Sequence, residues 1–213
     1  MPRAGGIAWE YLFTFDGGRP PWASGLAQST AIQALSRGAV RLKHPEYFTA
    51  ARSALSLFEA PPPTGVRVKT AAGAHYLAYS FAPGQRIFNA FFQAVVGLHD
   101  FAALANDARA RALYLTGVRQ AAVEVRLADA GSWSLYSPGV ASDIGYHRVL
   151  RDFARALCQR LEVDRERAVT FLRATTRPDA VLTSVRDQPD PAPFCIATHN
   201  LTRELYSRLG LFG

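Results

Sequence analysis

Phe88-Asn89-Ala90-Phe91-Phe92-Gln93-Ala94-Val95-Val96-Gly97-Leu98-His99-Asp100-Phe101-Ala102-Ala103-Leu104 is the stretch that decides the fold. Its bulky residues Phe88, Phe91, Phe92, Val95, Val96 and Leu98 do not keep to one side of a 3.6-residue period. A helix that is apolar on more than one face is packed on more than one face. The residue that breaks the pattern near its start is polar, Asn89. The next periodic segment, from about Ala108 to Leu127, shows Arg on its exposed face. Together they read as a hairpin of an inner and an outer helix.

The same unit recurs on both sides. Upstream, Ser24 stands where it can cap a helix, and Gln28, Ile32, Leu35, Ala39 and Leu42 follow at helical spacing. Ala27, Ala31 and Ala34 give that helix a second, small-residue face. His44-Pro45-Glu46 is a turn, and a second helix runs to about Phe58, where Pro61-Pro62-Pro63 ends it. Downstream, a helix from Ile144 to Leu161 carries Tyr146, Leu150, Phe153, Leu157 and Leu161 on one face. A shorter one is expected over Asp164 to Thr175. Gln28, Asn89 and His147 each lie near the start of the first helix of a pair, recurring about 60 residues apart. Three polar residues can fall so by accident, but stacked hairpins also explain the doubly apolar faces. The expected fold is all-α in the main, an incomplete α/α barrel or toroid of helical hairpins.

Shorter pieces connect the pairs. Val66 to Thr70 alternates and His75 to Tyr79 is aromatic-rich, which reads as a small inserted β-hairpin over 65–82. Gly131 to Tyr136 is a second extended piece. Residues 1–23 form an extended lead-in with a strand-like Trp9 to Phe15. The helical domain spans 24–176. Residues 177–213, broken by Pro178, Pro189, Pro191 and Pro193, read as a tail with helix potential only over 198–209.

Composition bounds the function. A hydrophobic fraction of 49% and a charged fraction of 19% are those of a chain with a packed core, not a disordered one. The formal charge of +7, mostly Arg, favours an acidic partner, although no dense basic run occurs and a solvated surface explains it equally. Nucleic acid, anionic lipid and an acidic polysaccharide all suit that sign of charge, and nucleic acid is not the partner expected. No stretch is read as a membrane span and no leader is recognised, so the chain as written is expected in the cytoplasm. Cys158 reads as a small core residue, and nothing joins it to Cys195. The five histidines show no ligand spacing, so neither a metal nor a cofactor is expected. P-loop, GxSxG, HExxH and GxGxxG motifs are all missing.

Tyrosine stands out instead. Tyr79 closes the hairpin before the third helix, Tyr136 ends the strand before the fifth, and Tyr146 opens the fifth beside His147. In a toroid these positions project toward one opening. Tyrosine has an ordinary pKa of about 10, so a neighbouring cation or a dry pocket is needed to make it a base. Taken singly, each is as readily an aromatic packing residue with a wet hydroxyl.

These residues resemble a known family. Pro21-Trp22-Ala23-Ser24-Gly25-Leu26-Ala27-Gln28 resembles its entrance to the first helix, with Ser29 where the family has Gly. Tyr76 to Tyr79, Pro83, Phe88-Asn89-Ala90-Phe91 and Gly97-Leu98-His99-Asp100 resemble its central block. Asp129-Ala130-Gly131-Ser132-Trp133-Ser134-Leu135-Tyr136 resembles its strand motif, and Gly145-Tyr146-His147 its next helix start. The family is the D-glucuronyl C5-epimerases, in their C-terminal helical domain, and the resemblance covers about residues 9 to 175. It implies an incomplete α/α barrel that inverts glucuronate inside a heparosan-type polysaccharide, without cofactor. By resemblance Tyr79, Tyr136 and Tyr146 are the catalytic tyrosines. Trp22, Gln28, Arg86, Asn89, Trp133, His147 and Arg148 are expected around the substrate. A homodimer, or a partner chain supplying the family's β domain, is expected too.

Two departures weaken the activity. The family's Glu beside the first tyrosine falls at Ala78, and its Arg after the second falls at Gly139. Arg86, Arg148 and Arg151 are the substitutes that the sequence offers. The alternatives are a degenerate relative that binds an acidic polysaccharide or serves as a subunit, and an α/α-toroid lyase that expels the 4-linked sugar after a similar proton abstraction.

Overall fold

The computed structural model of the chain describes residues 1–131, 133–174 and 188–208. It is mainly helical, with four two-stranded antiparallel sheets. The helices are α1 (Gly25–Leu42), α2 (Glu46–Ser53, continued by a 3₁₀ turn over Ala54–Phe58), α3 (Phe88–Ala105), α4 (Ala108–Ala128), α5 (Ile144–Ala174) and α6 (Ala192–Arg208). The strands are β1 (Pro2–Arg3) with β2 (Gly6–Ile7), β3 (Glu10–Tyr11) with β4 (Trp22–Ala23), β5 (Arg67–Lys69) with β6 (Ala74–Tyr76), and β7 (Leu135–Ser137) with β8 (Val140–Ala141).

The central stretch behaves as its composition requires. α3 packs against α1, α4 and α5. Phe91, Phe92, Val95, Leu98 and Phe101 are all fully buried, each contributing about 2 kcal/mol of apolar burial. By length and composition α3 is apolar enough to cross a membrane, which amends the expectation that no stretch is; its residues are instead 67% buried inside the protein. The turn into α4 is chemical. Asn106 takes the left-handed conformation that ends α3 (φ 49°), and Asp107 accepts the Ala110 N–H at 2.9 Å to cap α4. Two residues that tolerate these roles therefore reverse the chain.

Helices α1, α3 and α5 run parallel with α3 in the middle. Gly97 lets α3 approach α1, since a Cβ there would stand 2.6 Å from the Ser29 carbonyl oxygen. Farther along, Asp100 ties all three together. It accepts from Gln33 (2.6 Å) and Arg37 (2.9 Å) of α1 and from Arg160 (2.6 and 2.9 Å) of α5, while His99 bridges it to Asp164 at 3.2 and 3.1 Å. Burial opposes charge on both groups. The mutual hydrogen bonds outweigh it, raising the His99 pKa and holding the Asp100 carboxyl far below its usual range.

Four expectations need correction. Ser24 occupies the N-cap position of α1 but makes no side-chain capping bond. The two helices expected over 144–161 and 164–175 are one helix, because nothing in Leu161-Glu162-Val163-Asp164 breaks it and Asp164 is held by His99. The partner of α5 is α6, which starts at Ala192 within the segment read as a tail. Asp190 accepts the Ala192 N–H (3.0 Å), and Pro193 sits in the first turn, where its missing N–H costs nothing. Residues 177–187 lie outside the described residues. α6 buries Phe194, Ala197 and Leu201, and it is bonded to α5 by a Cys158–Cys195 disulfide. The sequence did not join these cysteines because 37 residues separate them; the antiparallel return of α6 brings them together.

Candidate active site

The parallel run of α1, α3 and α5 gathers the three helix starts at one end, and the tyrosines come with them. Tyr79 is fixed through its neighbour. The Ser80 N–H donates to Ala23 O (2.9 Å) and the Ser80 hydroxyl accepts the Ala23 N–H (3.0 Å), which docks the segment after β6 onto β4. Trp22 is thereby set against the Tyr79 ring at 5.8 Å, edge to face. Tyr136 projects from β7, whose turn to β8 is Pro138-Gly139 with Gly139 at φ 77°, as a type II turn demands. Tyr146 is in the first turn of α5, its N–H capped by Asp143 at 2.7 Å.

Tyr79, Tyr136 and Tyr146 line one cleft. The Tyr136 and Tyr146 ring centroids are 4.7 Å apart. Both Tyr79 and Tyr146 act electrostatically on Tyr136. Burial, followed by the hydrogen bond and charge of Tyr79 and then Tyr146, pushes the Tyr136 pKa well above that of an ordinary phenol. The cleft has two lobes. The smaller, about 170 Å³, is lined by Tyr11, Trp22, Ser24, Ala78, Asn89 and all three tyrosines. The larger, about 500 Å³, holds Phe15, Asp16, Gln85, Arg86 and Ser137 beside Tyr79 and Tyr136.

Two buried polar atoms at this cleft lack hydrogen-bond partners among the described residues, Asn89 Oδ1 and Arg86 Nη1. Asn89 lines the smaller lobe and Arg86 the larger. An orphaned buried donor or acceptor costs about 1–3 kcal/mol, so such groups mark a place where a polar ligand returns what folding gave up. Arg86 is suited to a carboxylate by charge and by its fork.

The other expected binding residues hold the cleft without lining it. Gln28 is fully buried: its amide donates to Ile7 O (2.7 Å) and Ala54 O (2.9 Å), and its Oε1 accepts the Trp9 N–H (3.1 Å). It fastens the lead-in segment to α1. His147 is also fully buried. Its Nε2–H donates to Leu201 O (3.0 Å), so Nδ1 accepts the Ser134 hydroxyl (2.9 Å). Trp133 stacks on it at 3.9 Å and donates Nε1–H to Ser142 O at 2.7 Å. The pair joins β7, which bears Tyr136, to α5, which bears Tyr146, and both to α6. Arg148 is exposed on α5 and lines neither lobe. Arg151 pairs with Asp152 at 2.8 Å. Of the substitutes offered for the missing guanidinium, Arg86 alone lines the cleft.

Tyr11, Phe15, Asp16, Ser24 and Gln85 were not anticipated as cleft residues. Ser24 left no signal, because a serine at that position reads as a helix cap. Tyr11 left one in the alternation of β3, whose register sets it opposite Trp22, with the rings stacked at 4.1 Å. Cys158, Glu162 and Cys195 cluster within 4.8 Å, but the disulfide occupies both sulfurs.

No curated protein matches the chain. Residues 5–168 match the family model of the D-glucuronyl C5-epimerase C-terminus, which runs from the lead-in segment through the three tyrosines into the body of α5. The chain belongs to the D-glucuronyl C5-epimerase C-terminus family.

Proposed function

We propose that the protein inverts C5 of glucuronate units in an acidic, heparosan-type polysaccharide, moving the proton with tyrosine. The observation that carries this is the convergence of three phenols on one cleft, with the Tyr136 and Tyr146 ring centroids 4.7 Å apart. The C5 proton lies α to a carboxylate, so its removal builds enediolate-like charge, which a cation fixed beforehand stabilises. Arg86 is that cation. Tyr79 and Tyr146 line the cleft together with Tyr136. One, as the phenolate, takes the C5 proton; the other, as the phenol, returns one to the opposite face. Tyr136, kept neutral by its raised pKa, accepts the removed proton and passes its own on, which restores the starting state. One C–H bond breaks and one forms, and no cofactor takes part.

A second reading has a specific observation behind it. Ala78 offers a methyl group where the family has a carboxylate, and Gly139 supplies a tight turn where it has a guanidinium. A protein with both changes and an insufficient Arg86 would bind the polymer without turning it over. The row of paired helices supports the incomplete-toroid description, and the disulfide supports an oxidising compartment rather than the cytoplasm. Leu12 and Phe13, 72% and 52% exposed, are the surface for a second copy or for a β-rich partner chain.

Incubation with heparosan in D₂O, with C5 deuterium read by NMR, tests the proposal. The wild type is expected to incorporate deuterium. Binding without incorporation overturns the epimerase reading in favour of the binding one, and an unsaturated uronate absorbance favours a lyase.

A further inference from the structure

We propose that the protein carries a second anion site, for a sulfate or phosphate group, in the cavity at the far end of α3 from the tyrosines. From Asn89 in the cleft to Asn106 at the α3 cap is about 25 Å along the helix, at about 1.5 Å per residue. The cavity holds about 450 Å³. α4 supplies Arg111 and Tyr114, α5 supplies Asp164 and Arg167, and the end of α3 supplies His99 and Asn106.

Tyr114 is 3% exposed, and its ring lies edge to face with His99 at 5.0 Å. Its hydroxyl is buried without a hydrogen-bond partner among the described residues. Burial raises its pKa above that of an ordinary phenol, so it keeps a proton to donate. An orphaned donor on a cavity wall calls for an acceptor from a ligand. The surrounding charges select the kind of acceptor. Asp107, also in the wall, is matched by Arg52 at 2.6 Å, and Asp164 by His99 at 3.1 Å. Arg111 and Arg167 line the cavity with no ion pair among the described residues. Arg111 stands three residues before Tyr114, its neighbour on the helix surface. Two guanidinium forks and one hydroxyl donor match the oxygens of a tetrahedral oxyanion. The adjoining cavity, about 440 Å³, shares Arg167 and adds Arg37 and Arg160, which both pair with the single carboxylate of Asp100. Positive charge therefore continues beyond the site, open to a group borne on a longer chain as well as to a free ion.

Calorimetric titration at fixed ionic strength tests the site with three probes: inorganic phosphate, inorganic sulfate and a sulfated maltotetraose, which has no uronate to offer the tyrosine cleft. Wild type should bind at least one of them saturably. Tyr114→Phe should weaken that binding at least about tenfold, the low end for a hydrogen bond to a charged group, and Arg111→Gln about fivefold, the scale of an exposed charge pair. Arg86→Gln, ahead of the other end of α3, should leave it unchanged. Tyr114→Phe should melt no lower than wild type, because it deletes a hydroxyl that folding leaves unpaired. Binding of the tetrasaccharide alone assigns the site to a chain-borne sulfate, and binding of the inorganic ions assigns it to a free oxyanion. No saturable binding of any probe, binding that moves with Arg86 in place of Tyr114, or a change below about twofold in Tyr114→Phe overturns the proposal. A Tyr114→Phe variant that melts well below wild type shows the hydroxyl to be bonded within the fold and overturns it too.

Discussion

Replacing Cys158 and Cys195 together with Ser tests how α6 is held. The bond closes a loop between residues 37 apart in sequence. By the loop-entropy relation, that cross-link removes about 13 cal/mol/K from the unfolded chain, or about 3.8 kcal/mol at 25 °C. A chain of 213 residues unfolds with an entropy of about 0.45 kcal/mol/K near its midpoint, so Tm should fall by about 8 °C. Folding should survive, because the α6 seam does not depend on the bond. Phe194, Ala197 and Leu201 stay buried, Phe194 lies edge to face with Phe92 at 6.2 Å, and His147 still reaches Leu201. Calorimetry of wild type, reduced wild type and double variant supplies the numbers, and thiol titration of the unfolded, non-reduced wild type checks the bond. Two titratable thiols in that sample, or a variant melting within about 2 °C of wild type, would refute the reasoning.

Tyr146→Phe should abolish C5 deuterium exchange while leaving polymer affinity within about threefold, since it removes a transferable proton and little surface; retained exchange removes its role. Gly97→Ala should destabilise by about 3 kcal/mol in a denaturant titration, because the added carbon meets the Ser29 backbone at 2.6 Å, which cannot swing aside as a flexible side chain does. His99→Gln should cost stability that depends on pH. The folded His99 pKa is raised, so its contribution is full below the unfolded value of about 6.5 and is lost as pH rises through the folded value. Equal destabilisation at pH 6 and pH 9 would remove the imidazolium from the Asp100 hub.

The helices were legible because their causes are local. The apolar run of α3 fixes a doubly packed helix, and Asn106-Asp107 spell out the reversal into α4. The tyrosine cleft was legible because each tyrosine falls at an element end, and parallel packing turns equivalent ends into neighbours. What the sequence concealed depends on returns over long separations. Gln28 and His147 look like binding groups beside a cleft, and only the lead-in segment and α6, folding back on them, convert both into fully bonded struts. The same return of α6 joins Cys158 to Cys195. Tyr76 lies three residues before Tyr79 in the same aromatic run, yet its hydroxyl is buried on Leu113 O at 2.7 Å. Spacing alone could not assign one tyrosine to the core and the other to the cleft.

Whether this cleft turns a substrate over comes down to one guanidinium. In the family pattern a carboxylate and an arginine flank the tyrosines; here Ala78 is inert and Gly139 has no side chain. Its left-handed φ of 77° means that restoring Arg there would strain the turn, so that route to the missing charge is closed by backbone geometry. Arg86 reaches the cleft from the segment ahead of α3, in the lobe that Tyr79 and Tyr136 also line. If it holds the uronate carboxylate, Arg86→Gln should lower kcat/KM by about 10- to 150-fold, the worth of a charge-assisted hydrogen bond at 1.5–3 kcal/mol. Arg86→Lys should recover only part of this, keeping the charge and losing the fork. The loss should divide between KM and kcat, because the carboxylate is charged in the ground state and gains charge as C5 is deprotonated. A glutamine variant within about twofold of wild type in both constants would show that the carboxylate is held elsewhere.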